Sequence, residues 1–226
     1  MKERKRSQEV DKVIDFFDQA VEKPTRPVNR WQPRLVFLFS GHMIDRPGRT
    51  ESRFPANEEC TDIAAKAISL KLDELGAGSK DLALCGGACG GDLLFAEECV
   101  KRCLRLEVRI PFDEPTFLKK SVNFAGDSWR NRFLEVKNHP NTNLYIMPNE
   151  LGNTLKRTNP YERNNLWNLY TALSLEAEKV HFISLWNGQK GDGPGGTEHM
   201  GSEVLKHFGH VHILDTNQLF FKGTKP

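Results

Sequence analysis

The sequence predicts an α/β fold, a three-layer sandwich with a mainly parallel sheet of about five strands between helices, from three observations. Short continuous apolar runs, RLVFLFS at 34–40 and VHFISLW at 180–186, have the character of strands buried on both faces. Amphipathic helical stretches alternate with these runs. Glycine-rich turns, GGACGGD at 86–92 and GDGPGGT at 191–197, stand where strand gives way to helix.

Length and charge set the frame. A chain of 226 residues with 38% hydrophobic and 27% charged residues suits one globular domain with an appendage. A net charge of +2 and a pI near 8.2 give no large basic field, so bulk charge makes no case for nucleic acid as a partner. The start, KERKR, is followed by no apolar h-region, and no run of apolar residues is long enough to span a bilayer. A soluble, cytoplasmic protein is expected, with no membrane partner. Five cysteines, an odd number, fit free thiols in a reducing compartment better than a disulfide framework.

In chain order, Val10, Val13, Ile14, Phe17 and Val21 mark an amphipathic helix within 1–30, ended by the breaker run KPTRPVNR. This segment is expected to be an N-terminal helix and linker, available to the domain, to a second copy or to a protein partner. The domain itself is expected over 34–221. Its first strand runs into Ser40, Gly41 and His42 and then into an irregular loop with Arg46, Arg49 and Arg53. Arginines of such a loop can be solvated surface or can give bidentate contacts to a ligand phosphate or carboxylate. Ile63, Ala67, Ile68 and Leu75 predict a helix over 57–75, stopped by Gly76 and Gly78.

The second strand, Leu82–Leu84, enters the turn Gly86, Gly87, Ala88, Cys89, Gly90, Gly91 and then a helix over 92–104. Glycines serve where backbone takes positive φ or approaches a bound group, and the helix start offers free N–H groups to an anion. The turn is therefore expected to cradle phosphate. Cys99 and Cys103 are expected on the apolar face of this helix. A third strand, 106–110, stops at Pro111, so the segments SGH, CGGACGG and PFDEP are expected on one rim, at the carboxyl ends of the strands. Helical pieces within 113–140, a strand at 143–147, a helix at 161–178, a helix at 198–208 and a strand at 210–214 complete the pattern. Gly195, Gly196 and Thr197 form a second expected backbone cradle, with Thr197 as N-cap or phosphate-binding hydroxyl.

This pair of glycine turns, GGACGGD and PGGT, with SGH after the first strand, resembles the SLOG superfamily of Rossmann-like nucleotide-binding domains, across roughly 34–216. That superfamily includes the Lonely-Guy phosphoribohydrolases, lysine-decarboxylase-like proteins and DNA-processing proteins. The resemblance implies phosphate-binding turns at 40–42, 86–92 and 195–197 and a nucleotide or nucleotide-derived small molecule as ligand. It implies no cofactor. The pattern departs at the residues that do chemistry. The Lonely-Guy enzymes have a glutamate three places after the threonine, where this chain has Met200, and the arginine of the DNA-processing proteins is replaced by Cys89.

Cleavage of an N-glycosidic bond needs a carboxylate near the sugar. Asp92 and Glu198, at the two helix starts, are the candidates, with Glu97, Glu98 and Asp113 behind them; an acid in a first helical turn also serves simply to complement the dipole. His42 and His199 are candidate acid–base groups. His207, His210 and His212 have no cysteine or carboxylate set to complete a tetrahedral site, so no metal is expected. Cys89 at a helix start is a candidate thiolate with no adjoining histidine. The expectation is a ligand-binding or sensing domain, with a nucleoside-monophosphate phosphoribohydrolase as the alternative and nucleic-acid handling as the third reading.

Overall fold

A computed structural model of the protein describes residues 31–148, 152, 159–189, 196–207 and 209–221. The expected N-terminal helix and linker, residues 190–195 with Gly195, and most of the loop before the 160s lie outside the described residues.

Six strands form one parallel sheet: β1 (Val36–Gly41), β2 (Leu82–Cys85), β3 (Arg105–Ile110), β4 (Thr142–Ile146), β5 (Val180–Trp186) and β6 (His210–Asp215). Their spatial order is β4-β3-β2-β1-β5-β6. Every pairing is parallel, with Val36 beside both Leu82 and Val180. Seven helices connect them: α1 (Glu58–Glu74), α2 (Gly91–Lys101), α3 (Glu114–Ser121), α4 (Asp127–Asn138), α5 (Pro160–Leu173), α6 (Thr197–Lys206) and α7 (Thr216–Phe220). This is a Rossmann-like three-layer arrangement, with six strands where about five are expected from the sequence.

The alternation within β1 builds both layers. Phe37 and Phe39 point into a core with Ile68 and Leu72 of α1, Phe95 of α2 and Phe133 of α4. Val36 and Leu38 point the other way, to Leu169 of α5 and Met200 and Val204 of α6. A strand buried on both faces therefore reads as a continuous apolar run, because neither face meets water. Helix ends follow local chemistry. The Asn57 side chain accepts the Cys60 N–H at 2.8 Å to start α1, and Asn159 accepts the Tyr161 N–H at 3.0 Å to start α5, with Pro160 in the first turn.

Helix α2 stops at Lys101, so the expected extension to 104 is corrected. Cys103 takes φ +59°, and the Leu104 N–H returns to the Cys99 carbonyl at 3.1 Å, which leaves Cys99 buried and Cys103 exposed. Asp81, fully buried, closes the opposite end of the sheet. It accepts from Arg34 at 2.9 and 2.7 Å and from the Leu35 and Gly78 N–H groups at 3.1 and 2.9 Å. Among the described residues no helix is long and apolar enough to cross a membrane.

Chain direction positions the site. The connections from β1 to β4 step one way through the sheet, and the chain then crosses back to place β5 on the other side of β1. Loops leaving the carboxyl ends of β1 and β5 diverge at this switch point and open a crevice.

At the other end of β5, His181 stacks on His210 and His212 with ring centroids 4.6 and 5.3 Å away, and His181 Nδ1 lies 3.0 Å from His212 Nε2. Burial, then the neighbouring histidines, lowers the His181 pKa to about 4. The neutral ring is favoured in the folded state, so its contribution is full above the ordinary value of 6.5 and is lost as pH falls towards 4. Replacing His181 with Phe is expected to remove this loss: between neutral pH and about 4 the variant should gain on the order of 1–3 kcal/mol relative to wild type in urea unfolding. A difference that stays constant over that range refutes the assignment.

Candidate functional site

A cleft of about 290 Å3 opens at the switch point. Its walls come from the ends of β1 and β5 and from the starts of three helices. Ser40, Gly41 and His42 contribute from β1 and its exit, Trp186, Asn187 and Gln189 from β5 and its exit. Ala88 and Asp92 stand at the start of α2, Asn159, Tyr161, Glu162 and Asn165 at the start of α5, and Gly196 and Thr197 at the start of α6. Arg53 reaches in from the loop after β1.

The structure thus brings together Ser40, Gly41, His42, Arg53, Ala88, Asp92, Gly196 and Thr197 of the expected site. Ser40 Oγ and Thr197 Oγ1 lie 3.4 Å apart, one at the end of the strand and one in the first turn of α6. Helix α6 begins after Gly196 without a side-chain cap, and Gly196 and Thr197, at the positive end of its dipole, line the cleft.

The central glycine turn does something else. Gly90 takes φ +107°, and a Cβ there would sit 2.7 Å from the Ile44 nitrogen and 2.8 Å from the His42 carbonyl oxygen. Only glycine fits this close approach. The Gly91 N–H donates to His42 O at 3.0 Å, the Cys89 N–H to Ser121 O at 2.9 Å, and Ile44 N–H to Cys89 O at 3.2 Å. Gly87, at φ +71°, packs against Val108. Gly90 and Gly91 therefore hold the loop after β1 against the start of α2, and only Ala88 of this turn lines the cleft. Cys89 is buried there and burial pushes its thiol up to about 12, the opposite of a reactive thiolate.

Asp92 and His42 are the titratable pair of the cleft. Gly86 lacks a side chain where one would come within 2.8 Å of the Asp92 carboxylate, and the Ala88 N–H donates to Asp92 Oδ2 at 3.3 Å. Burial raises the Asp92 pKa to about 7 against the opposing hydrogen bonds from the Ala88, Gly41 and Gly86 backbone. Burial, with the Arg53 charge second, lowers that of His42 to about 4. His42 Nε2 lies 3.2 Å from Asn187 Oδ1 and 3.3 Å from the Asn187 nitrogen. Asn217 of α7 in turn donates to the Asn187 carbonyl at 2.8 Å.

Other expected residues lie elsewhere. Arg46 and Arg49 line a neighbouring cavity on the far side of their loop. Glu198 is exposed and lines the groove between α6 and β6, because it follows Thr197 by one position and points about 100° away around the helix. His199, next on α6, lies 3.9 Å from Glu203. Glu97 pairs with Arg132 at 3.0 Å and Glu98 with Arg102 at 2.7 Å. Asp113 caps α3 through the Thr116 N–H at 3.0 Å, and PFDEP leaves the carboxyl end of β3 on the same rim without lining the cleft. Sequence reasoning missed Asn187, Tyr161, Asn165 and Glu162. Asn187 alone carried a signal, as the residue that follows a buried strand. Among the described residues no group of three or more His, Cys, Asp or Glu is placed to hold a metal ion.

The Asp92 shift makes a stability statement. Its folded pKa is raised from 3.8 to about 7, so the ionised form is disfavoured and the penalty grows as pH rises through that window. Asp92→Asn is expected to stabilise the protein by on the order of 2–4 kcal/mol above neutrality and by little below pH ~4. Denaturant unfolding at both ends of the window checks this; an effect of equal size at both ends contradicts the assignment.

Comparison with models of known protein families and with curated proteins gave no match.

Proposed function

We propose that the cleft binds a phosphorylated nucleoside or a related nucleotide-derived small molecule, with the phosphate at the start of α6. The observation that carries this reading is the convergence, at the switch point, of an uncapped helix start, the Ser40 and Thr197 hydroxyls and the Arg53 guanidinium. The aromatic rings of Tyr161 and Trp186 provide apolar wall for a base or ribose. Tyr161 is held in place by its hydroxyl, 2.9 Å from Ser121 Oγ, and by an edge contact with Phe112 at 5.6 Å. The cleft volume of about 290 Å3 is at the small end of small-molecule sites, about 300–1,000 Å3, which suits a mononucleotide better than a dinucleotide. The resemblance to SLOG domains supports the same ligand class.

A second reading follows from Asp92. A carboxyl group that titrates near 7 in a partly closed cleft is suited to proton transfer, as N-glycosidic cleavage of a nucleoside monophosphate requires. In this reading Asp92 takes the role first given jointly to Glu198, which faces another groove.

The test is a thermal-shift and calorimetric screen against nucleoside monophosphates and free phosphate, with product assay of each hit. A saturating ligand at about 100 times its Kd adds about 2.7 kcal/mol to native stability. Thr197→Val should weaken binding by about tenfold and Arg53→Ala by tenfold or more, on the order of 1.5–3 kcal/mol for a hydrogen bond to a charged group. Affinity should rise as pH falls through about 7, because protonation removes the Asp92 negative charge. Absence of any shift across the panel refutes binding. Release of free base, abolished in Asp92→Asn with binding retained, selects the enzyme; binding without release selects the sensor.

A further inference from the structure

The loop after β1 has a second face. Asp45 closes it, accepting from Ser52 Oγ at 2.7 Å and from the Arg53 and Phe54 N–H groups at 2.9 and 3.1 Å, with Arg49 3.4 Å away. One face presents Arg53 to the cleft. The other bounds a separate cavity of about 630 Å3, more than twice the volume of the cleft.

We propose that this cavity is a second ligand site for a small aromatic anion, whose ring lies on Trp129 and Phe124 and whose acid group is held by Arg46 and Arg132. The floor is apolar: Ile44 and Trp129 are only 4% and 7% exposed, yet both line the cavity. Each arginine is stacked on an aromatic ring. The Arg46 guanidinium carbon lies 3.9 Å from the Phe124 ring centroid and that of Arg132 lies 5.0 Å from Trp129. Stacking fixes the plane of a guanidinium and leaves its edge, where the N–H groups are, for hydrogen bonds. Arg46 gives Nη2 to the Lys120 carbonyl at 2.6 Å, and Arg132 gives Nη1 to Glu97 at 3.0 Å. A guanidinium has five N–H donors, so each keeps donors for a ligand.

Three acids, Asp45, Glu58 and Asp62, also line the cavity. The Asp45 carboxylate is occupied in closing the loop. Glu58 and Asp62 stand on the first turns of α1, whereas Arg46 reaches from the loop to the Lys120 carbonyl and Arg132 belongs to α4. The ligand chemistry is a planar ring with a carboxylate, phosphate or sulfonate, and it is independent of what occupies the cleft.

The probe is anilinonaphthalene sulfonate, titrated into the full-length protein with dye fluorescence and energy transfer from tryptophan as readouts. One saturable binding event is expected, weakened about tenfold or more in Arg46→Ala and in Arg132→Ala. Arg46→Lys should retain part of the affinity. Trp129→Phe should keep the binding and reduce the energy transfer. Leu205→Ser, in the apolar groove beside β6, is the control for adventitious dye binding and should change nothing. No saturable binding, an unchanged affinity in Arg46→Ala, or a loss in Leu205→Ser overturns the proposal. Arg46 is exposed, so its variants decide the matter even if Arg132→Ala fails to fold.

Discussion

The site depends on one close approach, that of Gly90 and Gly91 to the backbone leaving β1. A single antiparallel bridge, Met43 to Gly90, joins the two segments, and a Cβ at Gly91 would lie 3.2 Å from the Gly41 Cα. This contact draws the start of α2 beneath the exit of β1. It orients the His42 carbonyl towards the Gly91 N–H and so fixes the direction in which the His42 ring can leave the chain. It also brings Asp92, the second residue of α2, to the floor of the cleft. Side chains at these glycines would separate strand and helix, and the cleft would lose His42 and Asp92 together.

The same contact occupies the N–H groups at the start of α2. A helix start has a limited number of free N–H groups, and near α2 they are turned to protein acceptors on His42, Ser121 and Asp92. At α6 no side-chain cap competes. Two helix starts with similar glycine content therefore have different functions, one structural and one facing the cleft. The electrostatics agree with this division. Burial drives Asp92 up to about 7 and His42 down to about 4, so between those limits both are mainly neutral. Arg53 and the start of α6 are then the positive features of the cleft, with Glu162 also in its lining.

Much of the fold was legible because apolar burial writes itself into the chain. The run VFLF at 36–39 had to serve two cores, and its lack of alternation announced a central strand. The glycine turns were legible as turns, but their purpose was not. Whether a glycine admits a ligand or another piece of backbone depends on what lies opposite, and the partner of Gly90 is a peptide unit 47 residues away, between Met43 and Gly90. Arg46, Arg49 and Arg53 looked equivalent in one loop. Asp45, by binding the N–H groups of Arg53 and Phe54, folds that loop so that Arg53 faces one cavity and the other two face the next. The roles of Asn187 and Tyr161 were hidden for a related reason. Each acquires its role from a distant partner, Asn217 or Ser121, that no local pattern reveals.

Carboxylate placement separates binding from turnover. Glu198 directs its side chain to the α6–β6 groove, and Glu97, Glu98 and Asp113 are held by Arg132, Arg102 and the start of α3. Among the described residues Asp92 and Glu162 are the carboxyl groups that line the cleft. The proposed cleavage would need two such groups in different surroundings, one kept protonated and the other ionised. Asp92 satisfies the first condition through burial. The other is Glu162, half-buried in the first turn of α5. The proposed binding of an anion needs neither group, whereas the proposed cleavage needs a bound sugar that reaches both.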